Sequence, residues 1–262
     1  MKESNTCVLI MSCDNYSDLW YPFFYFFKKY WPDCPFPIFL ATNTKKFNNE
    51  NVITLNSNKF TTWSDETAAI LKQIPFQTIL YLQDDYLLQK GVSNSVVLDL
   101  IEKMRRFNVD YLRLFPSPGP DLPFPMDAEL GEISEHAKYR TSLQAAIWKK
   151  DVFLDLLRTE ENQWEFELNS PERSRNYFFL SVKKLKGNIQ NHTYPITYYY
   201  LTGVIRGKWR WAAAQICSKE GIWLDPNVRK IETYFTYLAN QLYDKQPLFI
   251  KKVIDYVKSK FN

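Results

Sequence analysis

The segment Ile79-Leu80-Tyr81-Leu82-Gln83-Asp84-Asp85-Tyr86 joins an apolar run to two adjacent carboxylates. An apolar run of this length is typical of a strand buried on both faces of a parallel sheet. Open α/β sheets bind their ligands at the carboxyl ends of such strands. The acidic pair is therefore a candidate ligand site, although a solvated pair that opens a turn explains the same pattern.

Two carboxylates at a strand tip also suit a hard divalent cation. Such a cation prefers oxygen ligands and holds diphosphate oxygens at the same time. His192 is a further candidate metal ligand beside a tyrosine-rich segment. A lone histidine is more often structural, so both interpretations of His192 stay open.

Strand and helix patterns alternate through residue 160, which is typical of βαβ units in a mostly parallel sheet. The predicted strands are residues 7–12, 37–41, 51–55, 77–83, 110–114 and 142–148. The predicted helices are 18–31, 62–74 with Ser64 as N-cap, 92–107, 150–158, a charged helix from Pro171, 228–242 and 248–260. An irregular loop is expected at 116–125 and an extended segment at 193–201.

No internal repeat and no linker is evident in the 262 residues. We therefore expect one domain, with a nucleotide-sugar-binding half (1–115), an acceptor and catalytic half (116–227) and C-terminal helices (228–262).

Composition excludes several classes of protein. Hydrophobic residues make up 45% and aromatic residues 17%, which favours a packed globular fold over disorder. Neither GxGxxG nor GxxxxGK[ST] occurs, which removes the main support for dinucleotide and P-loop folds. The four cysteines are scattered without a CxxC pair, which disfavours a zinc site and favours reduced thiols.

The net charge of +4 is too small for a dedicated nucleic-acid-binding protein. It fits attraction to anionic small molecules or to an anionic membrane face. No apolar run approaches the roughly 18 residues of a membrane span. We expect a cytoplasmic protein and keep open a peripheral association with the inner face of the membrane.

Three further segments carry candidate site residues. In an extended conformation, Trp164-Glu165-Phe166-Glu167 places both carboxylates on one face and both rings on the other, as a sugar site needs. The alternative is an edge strand with its acids in water. Arg206 and Lys208 flank a glycine ahead of a helix and suit phosphate oxygens, or form a plain basic loop. Trp63 and Asp65 offer a ring and an acid to a nucleoside, or simply start a helix.

In their order along the chain, these segments resemble bacterial glycosyltransferases of the GT-A type, particularly those of capsule and O-antigen assembly. The resemblance covers the chain to about Trp223. It rests on residues 12–14, 63–65, 81–86, 111–114, 142–148, 164–167 and 206–209. It implies a GT-A-like α/β fold with a mostly parallel, Rossmann-like central sheet, flanking helices and C-terminal helices.

The resemblance also implies residue roles. The metal motif of that family is Asp-x-Asp, and the matching triplet here is Gln83-Asp84-Asp85, with an amide in the first position. Asp85, assisted by Asp84, is implied to bind Mn²⁺ or Mg²⁺. Asp14 and Asp65 are implied to contact the nucleoside, and Arg206 with Lys208 the diphosphate. Glu167 is the first choice of general base and Glu165 the second.

The function expected from the resemblance is that of a hexosyltransferase. It transfers a sugar from a nucleotide sugar, a UDP-sugar first of all, to a glycan or lipid-linked acceptor with inversion. The departure at Gln83 leaves open a non-catalytic carbohydrate- or nucleotide-binding module. A nucleotidyltransferase is a weaker alternative, because Ser12-Cys13-Asp14-Asn15 is not a glycine-rich basic loop.

Overall fold

The computed structural model of the protein describes residues 5–58, 62–199 and 202–244. The chain divides into two compact units, residues 1–201 and residues 202–262. The first holds a large sheet with helices, and the second holds a hairpin and two helices. The predicted helix at 248–260 lies outside the described residues, and the single domain over 1–262 stays a prediction.

The large sheet contains nine strands and is mixed. Its strands are β1 (Thr6–Met11), β2 (Ile38–Thr42), β3 (Ile53–Asn56), β4 (Thr78–Gln83), β5 (Tyr111–Arg113), β6 (Leu122–Pro123), β7 (Leu130–Glu132), β8 (Ala146–Lys149) and β9 (Phe179–Val182). Their order across the sheet is β3-β2-β1-β4-β8-β5-β9-β7-β6. This architecture confirms the predicted α/β class with a central sheet and flanking helices.

Strand direction differs between the two halves of the sheet. β3, β2, β1 and β4 pair in parallel, and β5 pairs in parallel with β9. β8 runs antiparallel between β4 and β5, and β7 runs antiparallel to β9 and β6. Apolar run length does not encode direction, so the antiparallel strands were not predictable from the pattern at 142–148.

Five helices flank this sheet: α1 (Trp20–Tyr30), α2 (Trp63–Gln73), α3 (Asn94–Arg106), α4 (Lys150–Leu156) and α5 (Gln163–Arg173). α2, α4 and α5 share a core with Cys7, Leu9 and Met11 of β1, which lie on one face of the sheet. α1 and α3 meet where Trp31 Nε1 donates to Asn94 Oδ1 at 2.6 Å. The predicted helix at 18–31 is confirmed, with its proline in the first turn.

The prediction of Ser64 as the N-cap of α2 is wrong. Thr62 is the N-cap, and its hydroxyl oxygen accepts a hydrogen bond from Asp65 N at 3.3 Å. Ser64 lies inside the helix, where its own backbone N–H donates to Glu161 O at 3.2 Å.

The extended conformation predicted for residues 164–167 is also wrong, because these residues begin α5. Asn162 Oδ1 accepts from the backbone N–H groups of Trp164 and Glu165, and Glu165 Oε2 accepts from Asn162 N at 2.8 Å. This capping box fixes the helix start. Residues two apart in a helix point in different directions, so Glu165 and Glu167 do not share a face. Pro171 lies inside this helix rather than starting another.

The second unit is small and built around a hairpin. Its elements are β10 (Val204–Ile205), β11 (Lys208–Trp209), α6 (Trp211–Lys219) and α7 (Tyr234–Asp244). The helix predicted at 228–242 begins only at Tyr234, because Ile231 instead forms a bridge with Trp209. None of the described helices combines the length and the apolar character that crossing a bilayer requires.

Candidate active site

The acidic pair lies where the strand order of the sheet reverses. The chain runs from β1 outward through β2 and β3, and then returns to place β4 on the other side of β1. Ligands of open α/β sheets bind at such a switch point, in the crevice outside the carboxyl ends of the strands. β4 ends at Gln83, and Asp84 N donates to Met11 O at 3.2 Å, which joins the two strand tips.

Asp84 is tied to the end of β1. The Ser12 hydroxyl donates to Asp84 Oδ2, and Trp20 Nε1 donates to Ser12 Oγ at 2.6 Å. Burial raises the pKa of the neighbouring Cys13 thiol, and the Asp84 carboxylate raises it further. One carboxylate oxygen of Asp84 therefore links the end of β4 to the end of β1.

Asp85 is surrounded by tyrosines. The rings of Tyr86 and Tyr198 are stacked, with centroids 4.3 Å apart and an interplanar angle of 6°. Burial raises the pKa of both phenols, and the Asp85 carboxylate adds to the effect. Tyr86 OH donates to Leu143 O at 2.9 Å, and Tyr198 OH donates to Gln144 Oε1. These contacts fix the segment that carries Asp85 against the chain just before β8.

The antiparallel direction of β8 brings that chain to the site. Tyr81 of β4 pairs with Ala146, so the residues that precede Ala146 continue toward the carboxyl end of β4. A parallel strand would have placed them at the opposite edge of the sheet. Leu143 and Gln144 thus reach the acidic pair because of the strand direction that sequence analysis did not predict.

Glu167 joins this network from α5. Leu143 N donates to Glu167 Oε1 at 2.7 Å, so Leu143 links Tyr86 to Glu167. Burial raises the pKa of Glu167, while hydrogen bonds from Leu143 and Ser142 and the charge of Arg113 lower it in part. The net pKa lies above the ordinary value, which suits a carboxylate that accepts a proton near neutral pH.

Arg113 is a fully buried cation beside this cluster. Its Nε donates to Tyr111 OH at 2.9 Å, and its Nη1 donates to Pro118 O at 2.6 Å. Its Nη2 donates to the carbonyl oxygens of Tyr139 and Arg140 at 2.8 and 2.9 Å. The guanidinium therefore holds the loop between β5 and β8 in place and supplies positive charge to Glu167.

On the other side of the crevice, Asp14 anchors the loop after β2. Its carboxylate accepts from the backbone N–H groups of Asn43, Thr44 and Lys45, each at 3.1 Å, and from the Thr44 hydroxyl at 2.6 Å. Slight burial raises the pKa of Asp14, but these hydrogen bonds outweigh it, so the pKa lies below its ordinary value. Asn43 Nδ2 in turn donates to Glu66 Oε1 at 2.5 Å. The Asp14 carboxylate is thus engaged in hydrogen bonds with the loop after β2. Its predicted contact with a nucleoside stays a prediction.

Three predicted site residues serve helix starts or the core. Asp65 Oδ2 accepts from the Thr62 hydroxyl at 2.8 Å, and Glu165 belongs to the capping box. The Trp63 ring packs against Phe166 of α5, with centroids 5.3 Å apart. Their predicted roles toward a nucleoside or an acceptor stay predictions.

Two other predictions concern more distant chain segments. His192 Nε2 lies 2.7 Å from Lys186 O, in a loop after β9. Arg206 and Gly207 form the turn of the β10–β11 hairpin with φ of 50° and 72°, followed by Lys208. This hairpin belongs to the second unit, so the predicted contacts of Arg206 and Lys208 with a diphosphate stay predictions.

The donor set at the strand tip fits a hard cation that takes most of its ligands from substrate. Asp84 and Asp85 supply carboxylate oxygens, which Mg²⁺ and Mn²⁺ prefer. Within the described ranges, no three residues among His, Cys, Asp and Glu come together as a closed metal site. Magnesium is usually bound by one or two carboxylates together with substrate phosphates, so two acids are enough for it.

Comparisons with known proteins find structural similarities at low identity and no match by sequence. No protein-family model matches the sequence, and no curated protein sequence matches it. The structure is similar to residues 1–349 of S. aureus TarS in complex with UDP, with a TM-score of 0.45 and 14% identity over 69% of this chain and 58% of that chain. The chain therefore spans less than two thirds of that TarS structure.

Two further solved structures are aligned over more of their own length. A cytidylyltransferase from Leptospira borgpetersenii serovar Hardjo-bovis aligns with a TM-score of 0.45 and 11% identity over 88% of this chain and 99% of that chain. LgtC aligns with a TM-score of 0.44 and 10% identity over 82% and 95%. Identities and TM-scores this low establish neither a shared family nor a shared activity.

Several residues of the site carried no role in the sequence analysis. Ser12, Asn43, Glu66, Arg113 and Tyr86 acquire theirs only through contacts between segments far apart in the chain. A polar residue at the tip of a predicted strand was the available signal for Ser12 and Asn43. Nothing local distinguishes Arg113 from a solvated arginine.

Proposed function

We propose that this protein is a glycosyltransferase that transfers a sugar from a nucleotide-sugar donor to an acceptor hydroxyl. The donor is a UDP-sugar in the first instance, and the acceptor is a glycan or lipid-linked saccharide of surface polysaccharide synthesis, such as capsule or O-antigen assembly. The observation that supports this proposal most is the path from Asp85 through Tyr86 and Leu143 to Glu167. It joins the acid to which we assign the metal to the partly desolvated carboxylate to which we assign the role of general base.

The proposed chemistry assigns one role to each carboxylate. Glu167 accepts the proton of the acceptor hydroxyl, and the acceptor oxygen attacks the anomeric carbon. The bond from that carbon to the diphosphate breaks, its electron pair leaves with the diphosphate, and the anomeric configuration inverts. Asp85, with Asp84, would hold Mg²⁺ or Mn²⁺. When bound, this cation neutralises charge on the leaving group.

A donor panel tests the proposal. The protein is incubated with UDP-, GDP- and CMP-sugars with and without Mn²⁺, and release of nucleotide is measured. We expect hydrolysis of at least one UDP-sugar and a loss of about 10²-fold or more in Asp85→Ala, because electrostatic stabilisation of a leaving group is a large term in catalysis. Asp99→Ala, which removes a solvent-exposed carboxylate of α3, is the matched control and should retain activity.

The absence of hydrolysis, of transfer and of any nucleotide-induced rise in Tm across the whole panel would contradict the proposal. Gln83 favours a second candidate, a non-catalytic nucleotide- or carbohydrate-binding module, because a neutral amide is a poorer cation ligand than a carboxylate. That candidate predicts a rise in Tm with UDP but no turnover, and no effect of Asp85→Ala on cellular glycan.

A further inference from the structure

The net charge of the protein is divided unequally between its two units. Residues 202–262 contain 11 Lys and Arg against 5 Asp and Glu, a net charge of +6. Residues 1–201 contain 22 against 24, a net charge of −2. The basic character of the chain therefore lies in the smaller unit, which makes that unit the part attracted to anionic partners.

The same unit exposes two large aromatic side chains. Trp223 is 81% exposed and Phe235 is 83% exposed. The neighbours of Trp223 in sequence, Ile222 and Leu224, are both buried, so the local backbone directs the indole outward. Large exposed aromatic side chains are typical of surfaces that bind a membrane or another protein.

Helix α7 adds an apolar stripe on its solvent side. Phe235, Leu238 and Leu242 follow each other at spacings of three and four, which places them on one helix face. All three are exposed, whereas Tyr237 is buried. The stripe contains no cation, since α7 has neither lysine nor arginine. A phosphate-binding helix would carry cations along its contact face, which argues against a nucleic acid as the partner of this helix.

We propose that Trp223, Phe235, Leu238 and Leu242, together with the exposed cations Lys219 and Lys230, form a docking surface for an anionic phospholipid bilayer. An indole has an apolar body and a polar N–H, so it suits the bilayer interface. The apolar stripe enters the headgroup boundary, and the cations of the unit are attracted to the negative leaflet. A second copy of this chain fits the surface less well, because two units of +6 repel each other.

Vesicle cosedimentation of the full chain tests the proposal. Vesicles of phosphatidylcholine with phosphatidylglycerol are compared with vesicles of phosphatidylcholine alone, at low and high salt. We expect binding to the anionic vesicles at low salt, reduced about tenfold at high salt because salt screens the charges. The double variant Trp223→Ser with Phe235→Ser should bind about tenfold more weakly, since it removes the apolar contacts.

Two more variants separate the contribution of the cations to vesicle binding from that of the apolar side chains. Lys219→Glu with Lys230→Glu inverts two exposed charges and should weaken binding to the anionic vesicles. The matched control, Tyr21→Ser with Met126→Ser, removes side chains of the first unit that are 64% and 67% exposed, and should bind like the wild type. Circular dichroism melting verifies that each variant is folded.

Three results would overturn the proposal. The first is absence of binding to anionic vesicles at low salt, and the second is an equal loss in the control variant. The third is a dimer in light scattering that the double variant at Trp223 and Phe235 converts to a monomer without any vesicle binding, which would make this surface a subunit interface. Hydrolysis of a nucleotide sugar without vesicles should be unchanged in the double variant, so failure here is distinguishable from failure of the proposed activity.

Discussion

Asp14 and Glu167 are two carboxylates beside the same crevice whose pKa values are shifted in opposite directions. Asp14 accepts hydrogen bonds from three consecutive backbone N–H groups and a hydroxyl, which lowers its pKa. Burial raises the pKa of Glu167, and its hydrogen bonds offset this only in part. A carboxylate saturated by backbone donors stabilises a loop, whereas a desolvated one is prepared to accept a proton.

The strongest test of this contrast is Glu167→Gln. If Glu167 is the general base, the variant keeps its shape but cannot accept a proton, and kcat should fall by about 10²- to 10⁴-fold. The wild-type rate should decline as the pH falls below the raised pKa of Glu167, because protonation removes the base. The measurement is a pH profile of kcat/KM. An unchanged kcat in Glu167→Gln would assign Glu167 a structural role like that of Asp14.

A second test removes the buried cation on the Glu167 side. Arg113→Met leaves a volume close to that of the original side chain but deletes four hydrogen bonds. We expect a loss of about 3 kcal/mol in the free energy of unfolding, because buried acceptors lose their donor. The loss of positive charge should also raise the pKa of Glu167 further, which moves the acid limb of the pH profile upward.

Urea denaturation and the pH profile measure the two effects of Arg113→Met separately. Arg113→Lys retains the charge and loses the fork of the guanidinium, so it should destabilise the fold with a smaller displacement of the pH profile. A stable Arg113→Met variant with an unmoved profile would show that Glu167 does not depend on this cation.

The opposite pKa shifts of Asp14 and Glu167 could not be predicted from the sequence. The edge of the sheet beside which they lie could be predicted. The apolar run before Asp84 predicted β4 and the carboxyl edge, because burial on both faces requires such a run. The antiparallel direction of β8 depends on the folded chain, and only this direction brings Leu143 to Glu167.

The helix at Glu167 illustrates how a short pattern misleads. Four residues that alternate ring and acid are too few to separate a strand from a helix. We interpreted the alternation as an extended segment. The deciding signal was Asn162 followed three residues later by Glu165, which is a capping-box pattern. Arg113 gave no local signal, because the carbonyl oxygens that hold its Nη2 lie far away in the sequence.

Asp14→Asn tests the other side of the contrast. The amide keeps one acceptor oxygen but loses the charge, so the loop after β2 should lose about 1–3 kcal/mol of stabilisation. Because the pKa of Asp14 is lower in the folded than in the unfolded protein, its ionised form stabilises the fold above the unfolded value of about 3.9. This stabilisation is lost as the pH falls through the folded value.

The measurement for Asp14→Asn is urea denaturation at neutral and acidic pH. The difference in stability between wild type and variant should shrink toward acidic pH, where Asp14 of the wild type is protonated. A difference that stays constant with pH would mean that the charge of Asp14 contributes nothing to the fold.

The smallest expected effect belongs to Glu165→Ala, which separates the two glutamates of α5. Glu165 Oε2 accepts from Asn162 N at the helix start, so its removal should cost about 1 kcal/mol of stability. The side chain is exposed and lies on another helix face than Glu167, so kcat should stay within about twofold of the wild-type value. Thermal melting and donor hydrolysis measure the two quantities. A loss of kcat equal to that of Glu167→Gln, at unchanged Tm, would transfer the role of general base to Glu165.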